Sequence, residues 1–264
     1  MDLQLNGKKA FISGSTSGIG FGIAAWLLKE RVEVMINGRT QASVDDAVAK
    51  LQSQHPTGQV NGVAANFAIS KEVEALKPHL VGVDILINNV GIYSSDSFFD
   101  ITDSTWFEQF EVNVMSAVRL SRMLLQPMLD NNWGRIIFIS SECASLVPRD
   151  MISYSTSKSA MHAVSRGLAN MTKGTGVTVN TVMPGSTLTE GAESFLAQVA
   201  TKENKTIEQV SSEFFSEVRT SSLLQRFASV DEIASTVCYL ASPLASTTNG
   251  ASIKIDGGST GGTM

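Results

Sequence analysis

A tyrosine and a lysine lie four residues apart in the run Tyr154-Ser155-Thr156-Ser157-Lys158. In a helix this spacing brings both side chains onto one face, where the lysine charge can act on the phenol. A free tyrosine, with a pKa of about 10, exchanges protons poorly at neutral pH unless a nearby positive charge favours its phenolate. The pair is therefore a candidate acid/base device, although the same spacing also occurs on ordinary solvated helix faces.

A glycine-rich turn near the start of the chain is the second candidate site. A strand predicted over residues 8–13 runs directly into Gly14-Ser15-Thr16-Ser17-Gly18-Ile19-Gly20, and a helix is predicted over residues 18–30. Such a turn presents backbone N–H groups and the positive end of the helix dipole to a phosphate. It predicts a dinucleotide pyrophosphate site of GxxxGxG spacing, and the alternative is a turn needed only for tight packing.

The end of the next predicted strand, residues 32–37, bears on the choice of cofactor. In dinucleotide folds an acid about 20 positions beyond the glycine loop binds the ribose 2′-hydroxyl, whereas an arginine accommodates a 2′-phosphate. Here no acid is present and Arg39 follows the strand. The sequence therefore favours NADP(H) over NAD(H). Asn66, after a strand over residues 60–66, either contacts an adenine edge or caps the following turn.

The remaining elements continue the alternation of strands and helices that predicts an α/β fold. Further strands are predicted over residues 83–87, 135–139, 177–183 and 252–255, and further helices over 42–54, 103–130, 153–173 and 230–241. Polar residues or glycines follow three of these strands, in Asn88-Asn89-Val90-Gly91, Ser140-Ser141 and Pro184-Gly185. Asn113 lies inside the helix over 103–130, where an amide of low helix propensity is either a solvent-facing residue or a polar anchor inside the site.

Residues 190–226 differ in pattern from the rest of the chain. They are charged and predicted to be helical, with apolar residues at intervals, and they follow the carboxyl end of a strand. This position suits a lid over a ligand cleft, and the alternative is a helical surface insertion.

Composition excludes several classes of function. With 264 residues and 43% hydrophobic content, the chain suits one large domain over residues 1–264. The net charge of -5 and the absence of a basic run argue against nucleic-acid binding. Cys143 and Cys238 lack the spacing of a disulfide framework or zinc site, and the three histidines do not resemble metal ligands. No signal peptide or apolar stretch of membrane-spanning length is present, so we expect a cytoplasmic, soluble protein without metal.

Six of these motifs, in this order, resemble the short-chain dehydrogenase/reductase family along nearly the whole chain. They are Ser13-Gly14 with Gly18-Ile19-Gly20, then Asn88-Asn89-Val90-Gly91, Asn113, Ser141, Tyr154 with Lys158, and Pro184-Gly185 with Thr189. The resemblance implies a three-layer, Rossmann-like doubly wound sheet of about seven parallel strands with helices on both faces.

The resemblance also assigns residues to roles. It implies a catalytic set of Asn113, Ser141, Tyr154 and Lys158. It implies cofactor contacts from Gly14, Ser15, Ser17, Gly18, Ile19, Gly20, Arg39, Asn66, Phe67, Asn88, Val90, Gly91, Tyr154, Lys158, Pro184, Gly185, Thr187 and Thr189. In the implied reduction, Tyr154 protonates the developing alkoxide and Ser141 fixes the carbonyl. Lys158 holds the nicotinamide ribose and, with the positive charge of the oxidised ring, lowers the pKa of Tyr154, while Asn113 holds a water that links Lys158 to solvent.

The sequence departs from the family pattern at three of these positions. Asn66 stands where the family usually has an aspartate, Val90 replaces the usual alanine, and Ser17 is not the basic residue of many NADP-preferring relatives.

Other functions remain open at this point. A small carbonyl or alcohol is the expected substrate, and 3-oxoacyl-carrier-protein reductase activity is the runner-up. A non-catalytic NADP(H)-binding redox sensor is the alternative of another class. Ser155-Thr156-Ser157-Lys158 also matches the SxxK motif of penicillin-binding enzymes, but the companion SDN and KTG motifs are missing. The family resemblance further implies a homotetramer in which the helices over 103–130 and 153–173 pair across an interface.

Overall fold

The centre of the fold is a seven-stranded parallel sheet. The computed structural model describes residues 2–262. In chain order the strands are β1 Lys9–Ile12, β2 Glu33–Gly38, β3 Val60–Ala64, β4 Ile85–Asn88, β5 Gly134–Ile139, β6 Val177–Pro184, β7 Thr187–Leu188, β8 Ala228–Ser229 and β9 Ser252–Ile255. The sheet order is β3-β2-β1-β4-β5-β6-β9, with every pairing parallel, while β7 and β8 form a separate parallel pair. The predicted doubly wound sheet is confirmed.

Helices cover both faces of this sheet. They are α1 Gly18–Lys29, α2 Gln41–Gln54, α3 Ser70–Ala75, α4 Asp103–Phe110, α5 Ser116–Asp130, α6 Cys143–Leu146, α7 Ile152–Met171, α8 Glu190–Glu203, α9 Ile207–Glu213 and α10 Val230–Ala241. Short 3₁₀ segments span Lys77–Leu80 and Pro243–Ala245, and π-helical segments span Glu111–Met115 and Phe214–Val218. None of the helices among residues 2–262 is long and apolar enough to cross a membrane.

Two apolar cores lie on opposite faces of the sheet. One packs α1, α2 and α10 against the strands, with Ile23, Leu27 and Val237 fully buried. The other packs α5 and α7 against the opposite face and includes Leu120 and Met161. Strands buried on both faces read as continuous apolar runs, which explains why short segments such as Ile85–Asn88 were recognisable as strands.

Two predicted helical segments differ from the structure. The helix predicted over residues 103–130 is interrupted by the π-helical segment Glu111–Met115, which has no sequence signature and contains Asn113. The segment 190–226 is helical only to Val218, and the residues that follow are irregular until β8. It carries its own small apolar cluster of Leu196, Ala200 and Val210.

The chain order of the strands determines where a ligand can bind. β1 lies between β2 and β4. The strand order therefore runs outward from β1 to β3 on one side and from β4 to β9 on the other, and it reverses direction between β1 and β4. In open α/β sheets such a switch point opens a crevice at the carboxyl ends of the strands. The candidate site is therefore expected beside the ends of β1 and β4.

The close packing of α1 on α10 leads to a first prediction. A Cβ on Gly22 would collide with Val230 Cγ1, at the first residue of α10, whereas a Cβ on Gly167, in the interior of α7, would meet nothing within 4 Å. Gly22→Ala should lower the free energy of unfolding by about 1–3 kcal/mol through overpacking. Gly167→Ala should raise it by up to about 1 kcal/mol through helix propensity. Urea denaturation of both variants tests this, and equal effects would contradict it.

Candidate active site

The turn between β1 and α1 forms a backbone cradle. Gly14 and Gly18 have φ angles of +60° and +58°, in the left-handed region that favours glycine. A Cβ on Gly20 would lie 2.5 Å from Asn89 Nδ2 and 2.8 Å from Gly14 O. Ser17, at the N-cap of α1, makes no side-chain cap hydrogen bond. The residues present therefore fit the pyrophosphate of a dinucleotide, because a glycine turn followed by a helix N-terminus offers backbone N–H groups to an anion. One of them, Gly18 N, donates to Glu190 Oε2 at 2.9 Å.

The side chain of Ser15, a predicted cofactor contact, braces this cradle from inside. The Ser15 hydroxyl donates to Ile12 O at 2.7 Å and accepts from Asn37 N at 3.0 Å. The amide oxygen of Asn37 in turn accepts from Gly14 N at 3.1 Å. The backbone N–H of Ser15 also donates to Asn37 O, at 2.8 Å, so both the side chain and the N–H of Ser15 are used within the protein. Asn37, which was not among the residues predicted for the site, thus fixes the loop to the end of β2.

The Asn88 to Gly91 motif holds the ends of β4 and β1 together. Asn88 is buried and donates to Ser121 Oγ on α5 at 3.3 Å, so its side chain faces the core rather than the crevice. Asn89 donates to Gly14 O at 2.7 Å and to Ser13 O at 3.0 Å. Val90 packs at the edge of the second core. The side chains of this motif therefore brace the sheet and the glycine loop.

The predicted adenosine contacts are arranged around the end of β2. Arg39 is exposed and forms no ion pair within residues 2–262. The Asn66 amide oxygen accepts from Ala68 N at 3.1 Å, so this side chain caps the following turn. Phe67 is buried in the second core. The Phe67 side chain is therefore unavailable to a ligand, and contact with an adenine can come only from its backbone.

The two serines after β5 have different environments. The Ser140 hydroxyl is buried and donates to Lys158 O at 3.0 Å, which ties β5 to α7. The Ser141 hydroxyl is partly exposed and accepts from Cys143 N at 3.1 Å. Of the two hydroxyls, that of Ser141 is therefore the more accessible to a ligand.

Tyr154 and Lys158 lie on α7 as their spacing predicted. Lys158 is buried, its Nζ donates to Ile139 O at 2.9 Å, and it lies 5.7 Å from the centre of the Tyr154 ring. Burial lowers the pKa of Lys158 to about 8. The ammonium can therefore exchange its proton near neutral pH.

Burial has the largest effect on the pKa of Tyr154 in the protein alone. Burial raises the pKa of Tyr154 above its ordinary value, and the hydroxyl of Ser141 opposes this rise. Desolvation of the buried phenol disfavours the phenolate, whereas the expected lowering of the pKa combines the charge of Lys158 with that of the oxidised nicotinamide. The phenol stays protonated at neutral pH, as a proton donor requires.

Asn113 is a buried anchor rather than a solvent-facing residue. Its amide oxygen accepts from Ile92 N at 2.8 Å, and its nitrogen donates to Ile92 O and Ser157 Oγ, both at 2.9 Å. A Cβ on Gly91 would lie 3.1 Å from Lys158 Nζ and 3.4 Å from Asn113 Oδ1. The π-helical segment thus brings Asn113 close to Lys158. Its amide keeps one acceptor position, which limits it to a single hydrogen bond from the expected water.

The segment after β6 lies against the glycine loop. Pro184 ends β6, and a Cβ on Gly185 would lie 2.7 Å from the Cα of Asp256. The Thr187 hydroxyl donates to Gly185 O at 2.9 Å, and Thr189 caps α8 by accepting from Ala192 N at 3.3 Å. Thr189 Cγ2 is 3.4 Å from the position of a Cβ on Gly18. Of these residues, Thr189 is brought closest to the phosphate cradle.

An ion pair joins the predicted lid to the end of β5. Arg219 Nε donates to Glu142 Oε1 at 2.8 Å, and the glutamate side chain is only 3% exposed. Glu142 directly follows Ser141, whereas Arg219 follows the π-helical segment Phe214–Val218. Arg219 was missed at the level of sequence, because no local signal connects residues 77 positions apart.

A histidine beside this site leads to a second prediction. His162 Nε2 lies 2.9 Å from Ser140 Oγ and His162 Nδ1 lies 2.8 Å from Ser252 Oγ. Burial and the charge of Lys158 lower the pKa of His162 in the folded protein. Since the unfolded chain, with a histidine pKa of about 6.5, then binds more protons, stability is full above that pH and falls as pH drops towards the folded pKa.

Thermal unfolding between neutral and mildly acidic pH measures this dependence. His162→Gln should flatten the loss of Tm on acidification. Ser252→Ala removes one hydrogen bond but keeps the titrating ring, and should retain the wild-type slope. Identical slopes for wild type and His162→Gln would contradict the assignment.

Comparison with known proteins places this site in a family. A family model described as short chain dehydrogenase matches residues 8–200. The chain belongs to this family. It is 44% identical over 258 residues to the uncharacterized oxidoreductase YvaG of Bacillus subtilis, covering 98% of each chain. It is 30% identical over 262 residues to the 3-oxoacyl-[acyl-carrier-protein] reductase FabG of Aquifex aeolicus, covering 98% of this chain and 99% of that one.

A solved reductase has a closely similar fold. The structure of L-sorbose reductase from Gluconobacter frateurii, complexed with NADPH and L-sorbose, superimposes with a TM-score of 0.92 at 29% identity and covers 100% of both chains. The family match to residues 8–200 includes the glycine loop and the four predicted catalytic residues but ends within α8. The Arg219 end of the ion pair therefore lies outside the matched region. The chain is thus an oxidoreductase acting on alcohol or carbonyl substrates.

Proposed function

We propose that this short-chain dehydrogenase interconverts a carbonyl and a secondary alcohol with NADP(H), using Tyr154 as the acid/base. One observation carries the proposal. The Tyr154 ring lies 5.7 Å from Nζ of buried Lys158, and the Tyr154 phenol interacts with the hydroxyl of Ser141, which follows β5 at the carboxyl end of the sheet that also bears the glycine cradle. A panel of ketones, ketoses and alcohols, assayed with NADPH or NADP, tests it. Saturable cofactor binding without turnover on any of them would favour a redox sensor.

Each side chain has a defined task in the proposed reduction. When bound, the nicotinamide supplies the hydride for the carbonyl carbon. The Ser141 hydroxyl donates a hydrogen bond to the carbonyl oxygen and fixes its position. Tyr154, protonated at neutral pH, gives its proton to the same oxygen as negative charge develops there. The products are an alcohol and a Tyr154 phenolate.

Lys158 and Asn113 support the phenol. The positive charge of Lys158 opposes the cost of a buried phenolate, and its lowered pKa lets the ammonium return a proton near neutral pH. Asn113 is a positioning residue, because its amide forms hydrogen bonds that hold Ile92 and Ser157 in place near Lys158. The residues that would hold the dinucleotide are those of the glycine loop, Gly91, Lys158 and Thr189.

Preference for NADP(H) is the third prediction, and it depends on Arg39. The arginine is exposed at the end of β2, and no acid lies beside it in the sequence to bind a ribose 2′-hydroxyl. Removing hydrogen bonds between the guanidinium and a 2′-phosphate should weaken NADPH binding by about 10- to 100-fold in Arg39→Ser. NADH binding, measured by the same fluorescence titration, is the control and should change little. Tighter binding of NADH than NADPH by the wild type would overturn this assignment.

The substrate we favour is a small polar ketone. L-sorbose reductase, which shares the fold over the whole chain, carries a ketose in its structure. The runner-up is a 3-oxoacyl thioester on a carrier protein, favoured by 30% identity to such a reductase. Comparing kcat/KM for ketoses with that for an acetoacetyl thioester separates the two.

The segment over residues 190–226 is proposed to be the substrate lid of a single domain over residues 1–264. The Arg219 to Glu142 ion pair supports this, since it joins the segment to the residue after Ser141. The segment also has its own apolar cluster around Leu196 and Val210, separate from the two cores that flank the sheet. Its helices, which end before Leu224 packs against the first core, can therefore move apart from the sheet.

We propose that the protein is a cytoplasmic homotetramer. Phe107 and Phe110 are 73% and 42% exposed. They lie on α4, within the helical stretch expected at an interface, and a second copy would cover them. Sedimentation analysis of the purified protein measures the assembly, and a monomer at micromolar concentration would contradict the proposal.

A further inference from the structure

A carboxylate from the lid contacts the glycine loop. Glu190 Oε2 accepts a hydrogen bond from Gly18 N at 2.9 Å, although the two residues are 172 positions apart. Gly18 begins α1 and Glu190 begins α8. The N–H groups of a first helical turn have no partner within the helix, and the positive end of the dipole attracts an anion.

The same N–H group belongs to the cradle that fits a pyrophosphate. The side chain of Ser17 does not cap α1, so the carboxylate that meets this helix end comes from Glu190. Thr189 places the backbone of this segment against Gly18, with Thr189 Cγ2 only 3.4 Å from a Cβ position on that glycine. Glu190 is thus held where a cofactor phosphate must approach.

We propose that the Glu190 carboxylate competes with the cofactor pyrophosphate for the glycine loop and thereby sets the affinity for the dinucleotide. One N–H group cannot serve both acceptors fully, and two anions within hydrogen-bonding range of one donor repel each other. Binding of the dinucleotide therefore requires the carboxylate to leave Gly18. The inference rests on the proposed use of a nicotinamide dinucleotide.

The competing explanation is that Glu190 is only a helix cap. A cap of this kind stabilises the fold but leaves cofactor affinity unchanged. Glu190→Gln separates the two explanations, since it keeps the length and the acceptor oxygen of the side chain but removes the charge. Glu193→Gln is the matched control, because Glu193 is also an exposed acid in the first turn of α8, whereas the hydrogen bond to Gly18 comes from Glu190.

The experiment is a titration of each full-length protein with NADPH, followed by nucleotide fluorescence at low ionic strength. Glu190→Gln should bind NADPH about fivefold more tightly than wild type, whereas Glu193→Gln should bind within about twofold of it. The gain should shrink in roughly 1 M salt, where the Debye length is about 3 Å.

Three results would overturn the inference. They are equal affinity of wild type and Glu190→Gln at low salt, an equal gain in Glu193→Gln, and weaker binding by Glu190→Gln. In each case the wild type still binds NADPH, so the proposed function survives. Failure of the wild type to bind either NADPH or NADH would overturn both.

Discussion

Replacing Tyr154 by Phe should lower kcat by about 10³-fold or more on any carbonyl substrate that the wild type reduces. In the proposed reduction the Tyr154 phenol protonates the substrate oxygen, and phenylalanine keeps the ring but has no proton to give. Binding of NADPH should stay within about twofold of wild type, because the loss falls on the transition state. Steady-state assays and a fluorescence titration measure the two effects separately.

The matched control for this variant is Tyr239→Phe. Tyr239 is an exposed tyrosine on α10, outside the candidate site, and its phenol can be removed without affecting the reaction. It should therefore retain wild-type kcat. A Tyr154→Phe enzyme with near-normal turnover would show that another group supplies the proton.

Replacing Arg219 by Met should have the largest effect on stability. The variant leaves the Glu142 carboxylate buried without its cation, and the Ser186 hydroxyl, which also donates to this carboxylate, lies 3.4 Å away. An uncompensated buried charge costs roughly 3 kcal/mol or more. For a chain of this size that corresponds to a fall in Tm of about 6–12 °C. Calorimetry at neutral pH is the measurement.

Two further variants show whether the effect comes from burial. Arg226→Met breaks the Arg226 to Glu232 ion pair, whose side chains are 54% and 44% exposed, and should cost less than about 1 kcal/mol. Adding Glu142→Gln to Arg219→Met removes the uncompensated negative charge of Glu142 and should restore much of the lost stability. A double variant no more stable than Arg219→Met would contradict this explanation.

The elements of the sheet were predictable because their signals are local. Buried parallel strands such as Ile85–Asn88 are short, mostly apolar runs, and the glycine turn after β1 has a fixed spacing. The positions of Tyr154 and Lys158 on one helix followed from helical geometry alone. These features required no knowledge of distant parts of the chain.

The features that sequence reasoning missed depend on distant partners. Arg219 meets Glu142 from 77 positions away, and Glu190 meets Gly18 from 172 positions away. The rise in the pKa of Tyr154 depends on burial, which the local sequence does not show. The side chain of Asn88 donates to Ser121, which lies 33 positions further along the chain. Each of these features depends on the tertiary packing of the chain and not on a local sequence motif.

Transfer of deuterium from NADPH labelled at the reactive carbon of its nicotinamide tests the central claim most directly. With a ketone that the wild type accepts, we predict one deuterium on the carbinol carbon of the product for each NADPH consumed. We also predict no measurable transfer by Tyr154→Phe under the same conditions. Consumption of NADPH without deuterium in the alcohol, or binding of NADPH with no product from any ketone, ketose or thioester tested, would contradict the proposed hydride transfer.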